Sequence, residues 1–147
     1  MSQMLILLVE DNPDDVELTI RGFKKNNFTN EIVIARDGQE ALDFLFGTGQ
    51  FVGRDVTRQP TLVLLDINLP RIGGLEVLRR MRADDRTRRV PVVLLTSSKE
   101  DSDIKAGYDL GANSYVRKPV DFVQFTEAVR QLNLYWLLLN EPVPAAG

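Results

Sequence analysis

The chain contains no cysteine and no histidine among its 147 residues. Without cysteine there is no disulfide and no thiolate metal site. Without histidine there is no imidazole general base, no imidazole zinc ligand and no Ser-His-Asp triad. Long apolar runs are missing as well. The run Met4–Val9 stops at the acid Glu10, too soon for a signal peptide or a membrane span, so a cytoplasmic protein with no membrane partner is expected. Nor is there an excess of basic charge: the net charge is −3, with 27% charged residues. The arginines Arg79, Arg80, Arg82, Arg86, Arg88 and Arg89 are interleaved with Asp84 and Asp85 and read as a solvated helix end, not a nucleic-acid surface. The length fits one domain with a real core.

What is present is a strict alternation. Met4–Val9, Glu31–Ala35, Thr61–Asp66, Val90–Thr96 and Ser114–Arg117 read as strands. Between them, Asn12-Pro13 looks like a cap followed by proline in a first helical turn, and Val16, Ile20 and Phe23 follow at helical spacing to about Asn26. Asp37 starts a second helix with Ala41, Leu42, Leu45 and Phe46 inward. Gly73-Gly74 leads to a third carrying Leu75, Leu78 and Met81, and a fourth covers roughly Glu100–Leu110, with Gly111 as its terminator. Asp121 caps a final helix that the pattern carries to about Leu139. Five β-then-α units in a row predict an α/β, flavodoxin-like three-layer sandwich, a five-stranded parallel sheet of order 2-1-3-4-5. One domain over 1–140 is expected, with a flexible tail at 141–147. The stretch Gly47–Gln59 breaks the rhythm as an insertion loop, with Phe51, Val52 and Val56 as its apolar anchors.

On that scaffold the polar residues at strand ends converge. Glu10 and Asp11 end the first strand, Asp66 the third, Thr96 the fourth, and Lys118 the fifth. Open α/β sheets bind ligands at the carboxyl ends of their strands, where the strand order switches. Carboxylates that close repel, so the cluster calls for a cation. With oxygen donors alone available, Mg2+ is the expected metal, since it takes few protein ligands and keeps its waters. A flavodoxin-like small-molecule-binding module would instead present a hydroxyl- and amide-rich phosphate loop after strand one, where this chain has Glu10-Asp11-Asn12. An aspartate-nucleophile phosphatase would want an acid two residues after Asp66, where this chain has Asn68.

The motifs Val9-Glu10-Asp11, Asp66-Ile67-Asn68-Leu69-Pro70, Gly73-Gly74, Leu95-Thr96-Ser97, Gly111-Ala112 and Tyr115 with Lys118-Pro119 together resemble a family. It is the CheY-like receiver domain of two-component response regulators, and the resemblance spans about Leu5 to Leu132. It implies that Asp66 accepts a phosphoryl group from a sensor histidine kinase. It implies that Glu10, Asp11, Asp66 and the Asn68 carbonyl hold Mg2+, and that Thr96 and Lys118 contact the phosphoryl oxygens. Tyr115 would be the aromatic that moves with Thr96. Such a module is a regulator, not an enzyme beyond its own phosphotransfer and autodephosphorylation. Lys118-Pro119 reads as a tight turn that a cis bond would suit.

The insertion and the apolar terminal helix also resemble the small stand-alone regulators paired with bacterial and cyanobacterial phytochrome kinases. No DNA-binding output domain is expected. Phe122, Phe125, Val129, Leu132 and Trp136 form one stripe, and Leu134, Tyr135, Leu137, Leu138 and Leu139 cover the other faces. A helix apolar all round at a domain surface predicts a homodimer, and the resemblance implies pairing through the last two helices and the C-terminal segment.

Overall fold

The computed structural model describes residues 4–97, 101–118, 120–134 and 138. Five strands form one parallel sheet: β1 (Leu5–Val9), β2 (Glu31–Ala35), β3 (Leu62–Asp66), β4 (Val92–Thr96) and β5 (Ser114–Arg117). Their spatial order is β2-β1-β3-β4-β5, the order expected from sequence. The helices between them are α1 (Pro13–Lys25), α2 (Gly38–Phe46), α3 (Gly74–Arg82), α4 (Asp101–Asp109) and α5 (Phe122–Gln131).

Every residue of β1, β3 and β4 is buried, because a central parallel strand is covered on both faces. The pleat divides those residues between two cores. Leu5, Leu7, Val9, Val63, Leu65, Val92 and Leu94 meet Ala41, Leu45, Val77, Leu78 and Met81 of α2 and α3. Ile6, Leu8, Leu62, Leu64, Val93 and Leu95 meet Val16, Phe23, Phe125 and Val129 of α1 and α5. Register then fixes the functional edge: Val9 pairs with Leu65, and Asp66 pairs with Leu95, so the residues that follow β1 and β3 emerge side by side.

The turn out of β3 is built around a close approach. A Cβ on Gly74 would lie 2.1 Å from the Asp66 carbonyl oxygen, far inside van der Waals contact, while the Gly74 N–H donates to the Ile67 carbonyl at 2.9 Å. Gly74→Ala therefore forces either the α3 start or the Asp66 backbone to move. The expected loss is about 2–4 kcal/mol in urea unfolding, the range of severe steric changes. Unchanged stability would show that this turn is not tight.

Two segments depart from the sequence reading. The final helix, α5, is not continuous through Asn133. It stops at Gln131, with Asn133 in the left-handed region (φ 59°) and the Leu134 N–H bonded back to the Val129 carbonyl at 2.9 Å. Leu134 and Leu138 are then buried in the α1/α5 core, where Asn30 Nδ2 donates to the Leu138 carbonyl at 2.7 Å. After the break at Asn133 the Leu138 N–H donates to the Leu134 carbonyl at 3.0 Å, and both residues find cover in that core. Tyr135, Trp136, Leu137, Leu139, the tail 141–147 and Pro119 lie outside the described residues.

The second departure is the insertion. Phe51 does anchor it, edge-on to Phe44 at 5.1 Å, but Val52 is 75% exposed and anchors nothing. The fastening comes from Arg54 instead. Its guanidinium lies 4.0 Å from the Phe44 ring centroid and donates to the carbonyls of Phe44, Asp55 and Arg58. Arg82 likewise leaves the arginine run. Most of its neighbours form surface pairs, with Glu76, Asp84 and Asp85. Arg82 is half-buried and donates to the carbonyls of Val90 and Gly111, tying the end of α3 to the turn before β5. Gly111 is thus more than a helix stop, since its carbonyl receives that clamp.

Candidate functional site

Glu10 follows β1, and its N–H donates to the Ala35 carbonyl at 2.9 Å, which fixes the backbone where the side chain must turn into the sheet edge. Asp66 is the last residue of β3. Both carboxylates are 1% exposed. Asp11 is exposed beside them, and oxygens of Glu10, Asp11 and Asp66 all lie within 4.8 Å of one another. The sequence-predicted acids do come together.

Lys118 follows β5, and its N–H donates to the Thr96 carbonyl at 3.0 Å. Its ammonium reaches across the edge to Glu10 Oε1 at 2.8 Å and Asp66 Oδ2 at 2.9 Å. The other Asp66 oxygen, Oδ1, accepts the backbone N–H of Asn68 at 3.0 Å. Burial works to lower the Lys118 pKa, but the hydrogen bonds to Glu10 and Asp66 and their charges outweigh it, so the net displacement is upward and the lysine stays charged. Glu10 moves the other way. Burial first, then the neighbouring Asp66 carboxylate, push it up to about 8 against the pull of Lys118. Its second oxygen, Oε2, is buried without a hydrogen-bond partner. One lysine does not satisfy two buried acids, and the remaining oxygen asks for a proton or a metal ion.

Thr96, the last residue of β4, is fully buried. Tyr115 sits in β5 opposite Leu94 and is 38% exposed, edge-on to Tyr108 of α4 at 6.3 Å. It is therefore no core aromatic. Asn68 is exposed in the loop after β3.

One participant escaped the sequence reading. Asp15, in the first turn of α1, has Oδ2 3.4 Å from the Lys118 ammonium. An acid in a first helical turn is ordinarily a partner of the helix dipole, which hid it. Its place in the third helical position after the Asn12 cap, a position directed back toward the strand end, was the available signal.

Acids from two neighbouring strands and a lysine from a third element, gathered at the switch point of a doubly wound sheet, define a class of phosphate- and metal-handling α/β domains. The chain belongs to the response regulator receiver domain family, whose sequence model matches residues 6–130. The structure is similar to that of the bacteriophytochrome response regulator AtBRR, at 49% identity and a TM-score of 0.85, over 96% of this chain and 100% of that one. The Mn2+-bound form of the response regulator Rcp1 is 34% identical, with a TM-score of 0.74, over 98% of this chain and 99% of that one. In sequence, the probable methanogenesis regulatory protein FilR2 of Methanothrix harundinacea is 41% identical over 96% of this chain and 89% of its own length. Rcp1 of Synechocystis is 35% identical over 90% and 88%. The expected fold and family are borne out, and the chain is closely related to stand-alone phytochrome response regulators. Among the described residues no helix is long and apolar enough to cross a membrane.

Proposed function

We propose that Asp66 is the phospho-acceptor of this receiver and that its donor is a sensor histidine kinase, of the bacteriophytochrome kind that the similar regulators serve. The observation that carries this is Asp66 itself: a buried carboxylate at a strand end, held 2.9 Å from a lysine ammonium inside a converging acid cluster. In the transfer, an Asp66 carboxylate oxygen bonds to phosphorus, the phosphorus–nitrogen bond to the kinase imidazole breaks, and the imidazole leaves. The chain's own contribution is to position Asp66 and to bind the phosphoryl oxygens with the Lys118 ammonium and the Thr96 hydroxyl. Exposure to a small phosphodonor with Mg2+ tests the assignment, and a chain that stays unmodified ends it.

A divalent metal fits these residues, as the unpartnered Glu10 Oε2 and the three gathered carboxylates indicate. Glu10, Asp11 and Asp66, with the Asn68 carbonyl, would hold Mg2+, an all-oxygen set suited to a hard ion. When bound, the ion supplies positive charge beside the acceptor. Thr96 and Tyr115, on adjacent strands, would form the switch: new negative charge at Asp66 draws the Thr96 hydroxyl, and Tyr115 leaves its exposed place beside Tyr108. Any catalysis would be confined to the chain's own phosphotransfer and autodephosphorylation, in a cytoplasmic setting.

The homodimer proposal keeps the last two helices, α4 and α5, but rests on other residues than the C-terminal leucines. Leu134 and Leu138 are buried and offer nothing to a partner. Tyr108, Tyr115 and Val123, by contrast, are exposed at 47%, 38% and 79% and flank a cleft of about 570 Å³ across α4, β5 and α5. Self-complementary pairing on that face joins the switch tyrosine to assembly. Sedimentation is expected to show a dimer at micromolar concentration and a monomer for Val123→Glu. A wild-type chain monomeric in both phosphorylation states would remove the proposal.

A further inference from the structure

The Lys118 ammonium has three protons and faces three carboxylates from three elements: Glu10 after β1 at 2.8 Å, Asp66 at the end of β3 at 2.9 Å, and Asp15 in α1 at 3.4 Å. Two of these acids belong to the gathered cluster that suits a divalent ion, and Asp15 does not. We propose that Asp15 is a positioning residue for Lys118, retaining the ammonium in the site once Glu10 and Asp66 turn to a divalent cation. The proposal deepens the phospho-acceptor reading and rests on it for the lysine's purpose.

A divalent ion among Glu10, Asp11 and Asp66 would share the very carboxylate charge that now holds Lys118. It would also repel the ammonium a few ångströms away. Lysine has a long flexible stem, and the Lys118 side chain retains 14% exposure, so a route to water exists. Asp15 is then the partner whose whole charge still faces the ammonium. It is only 25% exposed, so solvent screens the pair incompletely.

Its backbone is also held in place. Asn12 Oδ1 accepts the N–H groups of Asp14 and Asp15 at 2.9 and 3.3 Å, Pro13 opens the helix, and Thr19 Oγ1 donates to the Asp15 carbonyl at 2.8 Å. The bland alternative is that Asp15 merely complements the α1 dipole. Asp14, one residue earlier in the same turn, would serve the dipole equally and lies in no ion pair with Lys118 among those of the described residues. It is the matched control.

The experiment labels the full chain with an amine-acylating reagent and follows Lys118 by peptide mass spectrometry. Wild type, Asp15→Asn and Asp14→Asn are compared in saturating Mg2+ and in chelator. In Mg2+, Lys118 of Asp15→Asn is expected to label about threefold faster than wild type or more, the scale of losing a partly shielded ion pair. In chelator, where Glu10 and Asp66 still hold the lysine, Asp15→Asn is expected to match wild type, and Asp14→Asn to match it in both conditions. Equal labelling in Mg2+ would overturn the proposal. So would a rise of the same size in chelator, which would mark Asp15 as a structural acid only. No phosphoryl group enters the readout, so failure here is separate from failure to modify Asp66.

Discussion

One phosphoryl group is expected on the wild-type chain after exposure to acetyl phosphate and Mg2+, and none on Asp66→Asn. Three acids share the site, so the choice among them needs an argument. Glu10 is held up to about 8 by burial and by Asp66, so near neutral pH it carries a proton much of the time and is a poor nucleophile. Asp11 is exposed, and among the described residues the acids paired with Lys118 are Glu10, Asp15 and Asp66. Asp66 alone combines burial, the Lys118 ammonium and the Asn68 N–H, which leave it oriented and shielded from water. The asparagine variant keeps the shape and an oxygen for the Asn68 N–H while removing the nucleophile. It also removes one like charge beside Glu10, so it is expected to fold at least as stably as wild type without metal. Intact-mass spectrometry decides the matter, and an adduct of similar yield on the variant would refute the assignment.

Glu10, Asp66 and Thr96 were legible in the sequence because each terminates an apolar run. Leu62–Leu65, a short apolar run bounded by a turn signal, reads as a buried strand, and an acid that follows one lies at a sheet edge. Lys118 instead follows β5, a short strand of alternating burial, and the resemblance supplied the roles expected of Lys118 and Tyr115. What stayed hidden depended on tertiary contacts that no local pattern encodes. The apolar residues after Gln131 continue a helical rhythm, yet the chain breaks at Asn133 and places Leu134 and Leu138 in the α1/α5 core. Arg54 and Arg82 look like surface charges in a polar stretch. Only the fold shows the Phe44 ring under one, and the Val90 and Gly111 carbonyls around the other. Asp15 was obscured for a related reason: one helical position served two purposes.

Stability of the metal-free protein is expected to fall between pH 5.5 and 8, and Mg2+ to reverse that fall. Glu10 has an ordinary pKa of 4.5 and a folded-state value of about 8. In the window between, the unfolded chain has lost this proton and the folded chain keeps it, so raising the pH favours unfolding. The stabilising contribution is complete below the unfolded value and is lost as pH rises through the folded one. Little else confuses that window. The chain has no histidine, and Glu76 and Asp84, drawn down to about 2 by hydrogen bonds from Arg79 and Arg86, titrate well below it. Allowing for relaxation around Glu10, the fall is about 2 kcal/mol, or about 5 °C in melting temperature for a domain of this length. A divalent ion takes the ionised carboxylates and must displace the Glu10 proton at low pH, so the melting increment from saturating Mg2+ should grow from pH 5.5 to 8. Asp11→Ala removes a proposed ligand and a repelling charge together. It should melt higher than wild type in chelator and gain less from Mg2+. Thermal melts of both proteins across the pH series, with and without the ion, carry the test. A metal-free melting temperature that holds level or rises over this range would show that Glu10 is ionised in the folded state and that the acids tolerate one another without a cation.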